Sequence, residues 1–505
     1  MRSLLFILFT ITLASETIAQ NVVFTSPETD WQIMKLVSNN APSMEFYHAR
    51  SLKNSVLTFP KGYVLPVQFE RKSFGLVFVD NKGNTKWRVE TQGYVLGLAK
   101  LGENIICIYS PEWNSFRPMK MAKTMYAGLF NSTNGKLIKE QVVATNDEGP
   151  SIDTKLLTSP DQQFTQLLIR YAEVSRNMFS ASAIMDKFSQ TRKLKLITFS
   201  PTFVMNQADL NSAILKTIYE GCTGISTDEF VISSRSGNTL VTEKFNMNAL
   251  SQPEIYTTTL SVNKKWTLLN MPVYSATQPG VIYQALNYFN EDMKNVIAIS
   301  KTDFTNKKTL VTELAMDDNM RKELESDPDS KTIKKVNMDK MDLMDVVILK
   351  DKVLLLTQVR YTDERRYNSS TGPSNSYVYH NDHIMVNSFD NELKKIKTKW
   401  VARNFLAFLE SGEKAAYYTD GNQLHLIYNK NDGAAKLVAE YAILDLSNNS
   451  ITYRSELPKN GLAGDANIET EAVIWENGKA ILPYNNSGRD RNGNTVFQVI
   501  ELKNK

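Results

Sequence analysis

Only two of the four histidines in this chain lie close together, and they are the first candidates for metal chemistry. His380 and His383 stand three positions apart, a spacing that zinc sites use on a helix or turn together with further ligands. In an extended strand, residues three apart face opposite sides of the sheet and do not share one ion. Because no cysteine or third histidine is near in sequence, we interpret both as loop or strand-entry residues and predict no metal site.

A second candidate is residues 490–494, which resemble the first half of a calcium-binding loop. The sequence D-R-N-G-N lacks the downstream acidic ligand that such a loop needs to complete six or more oxygen contacts. Asn-Gly is also a favoured hairpin turn. We therefore predict a turn here, and a second turn at residues 80–84, where the same ambiguity arises.

Patterns that carry a known catalytic mechanism are missing from the sequence. There is no G-x-S-x-G, no H-E-x-x-H and no phosphate-binding loop. Neighbouring carboxylates form a glycosidase acid and base only if the fold sets their separation. Three such pairs stand out: Asp317 and Asp318, Asp363 and Glu364, Glu469 and Glu471. The sequence favours a non-enzymatic protein, with a hydrolase or lyase acting on a glycan as the alternative.

The strongest candidate for binding is the polar stretch from Tyr361 to Asn381, which we interpret as a long loop. A connection of about 20 residues is longer than closure of a compact unit requires. Tyr and Arg anchor interfaces, whereas Ser, Gly and Asn supply adaptable hydrogen bonds. The predicted contacts with a protein or glycan partner are Tyr361, Arg365, Arg366, Tyr367, Tyr377, Tyr379 and His380. A mobile polar loop without a partner is the alternative.

A second candidate loop covers residues 111–124 and contains two large aromatic side chains. Trp113 and Phe116 are the predicted binding residues. A hydrophobic plug over the neighbouring strands explains them equally well.

The elements that must position these residues are short strands in a repeated pattern. Residues 74–109 contain an apolar strand, a polar turn at 80–84, a strand closed by Trp87, and a second strand pair turning at 102–104. Looser copies recur to the C-terminus. The units cover approximately residues 56–90, 93–143, 152–199, 222–272, 281–315, 343–402, 405–457 and 471–502.

Many of these strands are continuous apolar runs, which indicates sheets covered on both faces. Blades stacked in a ring have this burial, and a ring also protects sheet edges. We therefore predict an all-β chain, a β-propeller of about seven or eight four-stranded blades with short helical or loop insertions. Stacked β-sandwich domains are the alternative fold.

Three finer predictions concern the ends and insertions of the repeat. Residues 21–24 read as a strand that pairs with the far end of the chain and closes the ring. The apolar spacing in residues 208–219 predicts a helix. The first half of residues 317–340 predicts a short helix within a charged insertion.

The hairpin at residues 77–87 resembles the repeat of quinoprotein-like β-propellers. Residues 380–400 also resemble blades of uncharacterised exported bacterial propellers. The first resemblance implies a cofactor in the enzyme members of that group. The sequence has neither vicinal cysteines nor a recognisable cofactor-binding set, so we carry over only the fold and predict no cofactor.

Residues 1–19 have the pattern of a signal peptide, with Arg2 before an apolar run at residues 4–13. The expected mature chain, residues 20–505, is a single propeller domain in the periplasm or outside the cell. Export with only two cysteines fits a bacterial protein. A net charge of +4 without a basic block argues against nucleic acid. The expected partner is an envelope or extracellular protein or glycan, and a subunit of an envelope assembly is a further possibility.

Overall fold

The computed structural model describes most of the chain, and every structural statement below refers to the residues that it describes. These are residues 22–33, 56–70, 73–111, 113–116, 119–122, 124–145, 151–159, 161–172, 191–261, 273–278, 280–325, 338–369, 372–407, 414–432, 436–458, 467–486 and 494–503.

The described strands form eight antiparallel sheets that follow one another along the chain, and one separate two-stranded hairpin. The first half of the chain contains β1 (Val22–Thr25), which joins the last sheet; β2 (Gln32–Ile33), β3 (Leu57–Phe59), β4 (Gly62–Glu70), β5 (Ser73–Asp80) and β6 (Thr85–Thr91) in sheet 1; β7 (Tyr94–Leu101), β8 (Asn104–Ser110), β11 (Thr124–Asn131) and β12 (Leu137–Thr145) in sheet 2, with the hairpin β9 (Trp113–Phe116) and β10 (Met119–Ala122) between them; β13 (Ser151–Thr158), β14 (Phe164–Ala172), β15 (Thr191–Phe199) and β16 (Met205–Asp209) in sheet 3; and β17 (Ile218–Gly224), β18 (Glu229–Ser236), β19 (Thr239–Asn246) and β20 (Glu254–Thr259) in sheet 4.

The second half repeats this order. It contains β21 (Val273–Gln278), β22 (Val281–Phe289), β23 (Asn295–Asp303) and β24 (Lys308–Ala315) in sheet 5; the helix α1 (Asp318–Glu325); β25 (Met341–Ile348), β26 (Lys352–Ser369), β27 (Gly372–Asp390), β28 (Lys395–Val401) and β29 (Leu406–Ala407) in sheet 6; β30 (Ala416–Asp420), β31 (Gln423–Asp432), β32 (Lys436–Asp445) and β33 (Ser450–Leu457) in sheet 7; and β34 (Asn467–Ile468), β35 (Ile474–Glu476), β36 (Lys479–Asn486) and β37 (Asn494–Glu501) in sheet 8.

Apolar side chains pack between consecutive sheets, so that each sheet is covered on both faces. Ile106 of sheet 2 shares a buried cluster with Phe164 of sheet 3, for example. Comparable clusters fill the other interfaces around the ring. One of them joins Tyr63 of sheet 1 to Phe497 of sheet 8 and so connects the two ends of the series. The chain is an eight-bladed β-propeller. The predicted fold is confirmed, and we refer to the sheets as blades 1 to 8.

The N-terminal strand closes the ring as its outer strand in blade 8. β1 pairs antiparallel with β37, from Val22 opposite Ile500 to Thr25 opposite Gln498. The pairing continues past the strand, where the backbone N–H of Ser26 donates to a carbonyl of β37 over 2.9 Å. The predicted closure by residues 21–24 is therefore confirmed for the described residues 22–24.

The strands of each blade are ordered from the axis of the ring outwards. The first strands of blades 2 to 6 contact one another in succession, which places them innermost. Fourth strands such as β6, β16 and β20 carry mostly exposed or half-buried side chains, as expected at the rim.

The two ends of the ring differ in the length of their connections. Antiparallel order places the connections between first and second strands, and between third and fourth strands, at one end, which we call the turn face. None of these exceeds seven residues between described strands. The opposite end, the connection face, carries the connections between second and third strands and between blades. Outside blade 1, wherever more than seven residues separate two consecutive strands of the blades in sequence, the described ends of those strands lie at this end of the ring.

Residues 80–84 on the turn face form the predicted turn. One carboxylate oxygen of Asp80 accepts from the backbone N–H groups of Lys82 and Asn84, each over 2.9 Å. Burial opposes ionisation of Asp80, but Lys86 and these donors lower its pKa to about 2. At the same turn Gly83 has a positive φ of 79° and packs against Phe497, where a Cβ would lie 2.8 Å from the ring. The other candidate calcium segment, residues 490–494, lies mainly outside the described residues.

The helix predicted over residues 208–219 is wrong. Residues 205–209 instead form the fourth strand of blade 3 and pair with β15 from Phe199 opposite Met205 to Lys195 opposite Asp209. Only residues 213–216 are helical, as a short 3₁₀ turn. Strand pairing satisfies more backbone groups than an isolated helix of this length, so the blade overrides the apolar spacing. The short helix predicted within 317–340 is confirmed as α1.

Within the described part of the chain, no helix has the length and apolar character needed to cross a membrane. The predicted leader, residues 1–19, lies outside the described residues.

Candidate binding site at the root of the ribbon

The second and third strands of blade 6 run far past the end of their blade. β26 and β27 contain 18 and 19 residues, whereas other described strands reach at most 10. Residues 361–369 and 372–380 pair with each other in continuous register, from Tyr361 opposite His380 to Ser369 opposite Gly372. We call these two segments the ribbon. It projects from the connection face, because it joins a second strand to a third.

The prediction of a loop between Tyr361 and Asn381 is wrong, because this stretch forms the ribbon. All seven predicted binding residues of that stretch lie on its paired strands, and their register joins Tyr361 with His380, Tyr379 with Thr362, Tyr377 with Glu364, Arg365 with Ser376, Arg366 with Asn375 and Tyr367 with Ser374. Tyr, Val and Thr favour extended backbone, and pairing gives their backbone groups hydrogen-bond partners.

The root of the ribbon is the place where it leaves blade 6, at Tyr361 and His380. It holds a cluster of ionisable side chains around His380. Its ring stacks on that of Tyr361, with centroids 4.1 Å apart and planes 10° apart. Its Nε2 lies 3.0 Å from Oδ2 of Asp363, and its Nδ1 lies 3.8 Å from Oδ2 of Asp382. The imidazole is mostly buried, whereas the side chain of Asp363 is 53% exposed. Each ring nitrogen therefore faces a carboxylate.

These neighbours set the protonation of the cluster. Burial alone lowers the pKa of His380, but hydrogen bonding and charge from Asp382 and then Asp363 outweigh it and raise the pKa above the ordinary 6.5. The imidazolium form is favoured because only that form has an N–H for each carboxylate. Burial and the same two carboxylates raise the pKa of the Tyr361 hydroxyl.

β27 has one residue more than β26 where the register shifts. The resulting β-bulge contains Asp382 and His383 and lies beside the root. Oδ1 of Asp382 accepts from the backbone N–H of Phe405, and Nδ1 of His383 accepts from the backbone N–H of Arg403, both over 3.2 Å. His383 also packs on Trp400, with centroids 4.9 Å apart. Burial is the main cause that lowers its pKa. The connection to blade 7 thus anchors the bulge.

The bulge also corrects the expectation that residues three apart face opposite sides of the sheet. Tyr361, which stacks on His380, and Trp400, which packs at a tilt against His383, both pack on the cluster between blades 5 and 6. The extra residue in one strand changes the alternation of side chains. Among the described residues, no group of three or more His, Cys, Asp or Glu side chains is arranged to hold a metal ion.

The adjacent positions at the root bury further polar groups. The backbone register sets Arg360 opposite Asn381, and Arg360 forms an ion pair of 3.5 Å with Asp342 of the first strand. Gln358 and Asn381 are buried, and their side-chain amides have no hydrogen-bond partner among the described residues. Buried amides of this kind are frequently satisfied by ordered water.

A buried charge network in blade 7 lies beside the root. The Glu440 carboxylate is contacted by Lys430, by the hydroxyl of Tyr428 and by Nε of Arg454. Burial raises the pKa of Glu440, but these partners, Arg454 first, lower it below its usual value. Arg454 also donates to the carbonyl of Ala402, just before the segment that anchors the bulge.

The second predicted loop is also a paired element. Trp113 and Phe116 begin and end β9, which pairs with β10 from Phe116 opposite Met119 to Trp113 opposite Ala122. This hairpin joins the second and third strands of blade 2 and therefore rises from the connection face, as the ribbon does. The two sets of predicted binding residues thus share one end of the ring, but belong to different blades.

The candidate carboxylate pairs have structural contacts. Asp317 accepts from the backbone N–H groups of Asn319 and Met320 at the start of α1. Glu469 is buried and accepts from Asn485 over 3.5 Å. Asp363 contacts His380 at the root of the ribbon.

No protein-family model and no curated protein matches the sequence. Solved structures with similar architecture include the WD40 domain of SCAP from fission yeast, at 9% identity and a TM-score of 0.40 over 94% of this chain and 99% of that one. The Dos1 propeller has 11% identity and a TM-score of 0.43 over 93% and 95%. The polysaccharide lyase Uly1 has 11% identity and a TM-score of 0.31 over 95% and 100%. Similarity this low carries no information about function.

Sequence analysis missed the acidic members of the root. Asp363 and Asp382 were visible only as parts of a surface pair and of a histidine-rich stretch. The signal that could have found them is the spacing around His380, with one carboxylate two residues later and one diagonally across the hairpin, two residues after its register partner Tyr361. That spacing is recognisable only when the hairpin is assumed.

Proposed function

We propose that this chain is an exported β-propeller that binds a protein or a glycan at the cell envelope, and that the ribbon is its main contact. The observation that supports this most is the ribbon itself. An isolated pair of strands is marginally stable in water, so extending one far beyond its blade adds little to the stability of the ring. The anchoring of its root by blade 6 and the connection to blade 7 supports a role that needs a defined orientation.

The composition of the ribbon supports contact with a partner. It contains Tyr361, Tyr367, Tyr377 and Tyr379, together with a pair of arginines at 365–366 and several Ser and Asn residues. Aromatic and Arg side chains dominate the energy of interfaces, and small polar residues adapt their hydrogen bonds to the partner. The hairpin with Trp113 and Phe116 would add a second contact on the same face. The periplasmic or secreted location is part of the proposal and depends on the leader pattern of residues 1–19.

Replacing Arg365, Arg366 and Tyr367 together by alanine is expected to abolish capture of a partner from envelope extract. Interface residues of these types each contribute about 2 kcal/mol or more when they are central, so losing three reduces affinity by more than a hundredfold. The measurement is a pull-down with the purified mature chain, quantified by mass spectrometry against the unmodified protein.

The matched control carries Lys350→Ala and Asp351→Ala, two exposed positions on the turn face. This variant should capture the same partner as the unmodified chain. Equal capture by the ribbon variant would show that the interface lies outside the ribbon. Loss of capture in the control alone would show that it lies on the turn face. A glycan array with the same three proteins tests the carbohydrate branch of the proposal.

A further inference from the structure

We propose that His380, Asp363 and Asp382 form a proton-controlled latch that holds the ribbon in a fixed orientation in mild acid and releases it as the solution becomes alkaline. This inference rests on the proposed function only for its consequence, namely that partner binding through the ribbon depends on pH. The latch itself is a property of the chain alone.

The three ionisable groups of the latch belong to three different segments of the backbone at the root. Asp363 belongs to β26, His380 to β27, and Asp382 to the bulge that the connection to blade 7 anchors through Phe405. The imidazole lies between the two carboxylates, 3.0 Å from one and 3.8 Å from the other. It therefore bridges the outgoing strand of the ribbon to the anchored part of the blade.

Proton loss changes this bridge in a defined way. A neutral imidazole has one N–H, so one of its nitrogens would present a lone pair to a carboxylate. Both ion pairs are then lost, one hydrogen bond remains, and the two negative charges lie close together with a neutral ring between them. The other charged or titratable groups that the structure describes at the root are Tyr361, which stacks on the ring, His383 and Arg403, which contact each other at the bulge, and the ion pair of Arg360 with Asp342.

Few of the described backbone pairings hold the ribbon to the body. Among these residues, its outer edge pairs with the rest of the blade only where Tyr379 and His380 meet Ala407 and Leu406. Beyond this point the described backbone of its two strands pairs only within the ribbon. A change at the root therefore alters the orientation and the protection of the whole element.

The sign of the pH dependence follows from the direction of the shift. The pKa of His380 is raised in the closed state, so the latch contributes fully below the ordinary pKa of 6.5 and is lost as pH rises through the raised value. Each unit by which the closed state raises the pKa changes the ratio of closed to open ribbon by about tenfold.

The test is hydrogen exchange of the full mature chain alone, measured from about pH 5.5 to about pH 8.5 and expressed as protection factors, which remove the intrinsic pH dependence of exchange. We expect residues 362–369 and 372–379 of the ribbon to lose protection with rising pH, by about tenfold for each unit by which the closed state raises the pKa of His380. The other strands of blade 6 should keep theirs. Because the chain has four histidines, NMR of selectively labelled imidazoles follows His380 in the same samples.

Two variants separate the latch from general loosening. In His380→Gln the ribbon should show one pH-independent protection factor, close to that of the open state. In Asp363→Asn the midpoint of opening should move to lower pH together with the titration of His380. Protection that does not change with pH in the unmodified chain, or that keeps its pH dependence in His380→Gln, overturns the latch.

Failure of the latch and failure of the proposed function give different results. If the ribbon opens with pH but the alanine variant of Arg365, Arg366 and Tyr367 still captures the partner, the latch stands and the binding surface lies elsewhere. If capture depends on the ribbon but exchange does not depend on pH, the proposed function stands and the latch is wrong.

Discussion

Replacing Glu440 by glutamine is expected to lower the free energy of unfolding by about 3 to 5 kcal/mol, one of the two largest effects of a single substitution that we predict. The carboxylate is 3% exposed and is contacted by Lys430, Arg454 and the hydroxyl of Tyr428. Glutamine keeps the shape of the side chain but removes its charge. Lys430 and Arg454, whose side chains are 22% and 29% exposed, then lose their common buried partner, and the loss of its charge at a desolvated position is the main cost.

The measurement is urea unfolding followed by intrinsic fluorescence, for Glu440→Gln beside Glu456→Gln. Glu456 also lies near Lys430, at 3.5 Å, but its side chain is 46% exposed. Exposed ion pairs contribute about 1 kcal/mol or less, so this control should unfold close to the unmodified protein. A difference between the two variants of less than about 1 kcal/mol would contradict the account of a buried charge network.

Replacing Trp31 by alanine is expected to destabilise the ring by about 3 to 5 kcal/mol, by leaving a cavity at the closure. Trp31 is 1% exposed and lies between the two blades that close the ring. Its ring packs on Phe497 of blade 8 with centroids 6.1 Å apart, and its Nε1 donates to the hydroxyl of Thr85 in blade 1 over 3.2 Å. The closure depends on this contact because the strand that completes blade 8, β1, has only four residues.

A double-mutant cycle shows whether the lost stability comes from the contact between Trp31 and Phe497 at the closure of the ring. Trp31→Ala and Phe497→Ala should couple by more than about 0.5 kcal/mol, as residues in direct contact do. Trp87 serves as the control, because it packs on Phe78 toward blade 2. Its alanine variant should be additive with Phe497→Ala. Additive effects of Trp31 and Phe497 would mean that their contact does not hold the closure.

Local sequence signals were sufficient to predict the ring, because each blade repeats the same local chemistry. The turn at residues 80–84 is specified by an Asp side chain that accepts its own backbone N–H groups. The buried runs of each strand follow from the packing of every blade between two neighbours. Cys107 illustrates this, since it lies inside the apolar run of residues 105–108 and is fully buried between blades 1 and 2.

The errors arose where pairing across the chain overrides local preference. The apolar spacing of residues 208–219 fits a helix, but the third strand of blade 3 offers an edge on which residues 205–209 pair. The stretch from Tyr361 to Asn381 has the composition of a loop, but its two halves match in register and form the ribbon. In both cases the strand formed because of backbone pairing with another segment of the chain, which the local sequence pattern does not show.

The root of the ribbon was the hardest part to predict, because it depends on one residue of register. Asp382 lies two residues after His380 and therefore on the same face of the strand, whereas Asp363 reaches the imidazole only because the two halves of the ribbon pair in this register. A ribbon shifted by one residue would place Asp363 on the other face. Sequence patterns identify the histidine and the carboxylates, but do not show that these side chains lie in contact.

We propose the ribbon as the binding element of the propeller, and the most direct test is to measure capture by a chain from which the ribbon has been deleted. Arg360 and Asn381 are paired, so residues 361–380 can be replaced by Asn-Gly, which suits a two-residue hairpin turn. The shortened chain should fold and unfold as an intact ring, and should capture no partner from envelope extract. Capture equal to that of the unmodified chain, by a shortened protein shown to be folded, would contradict the claim.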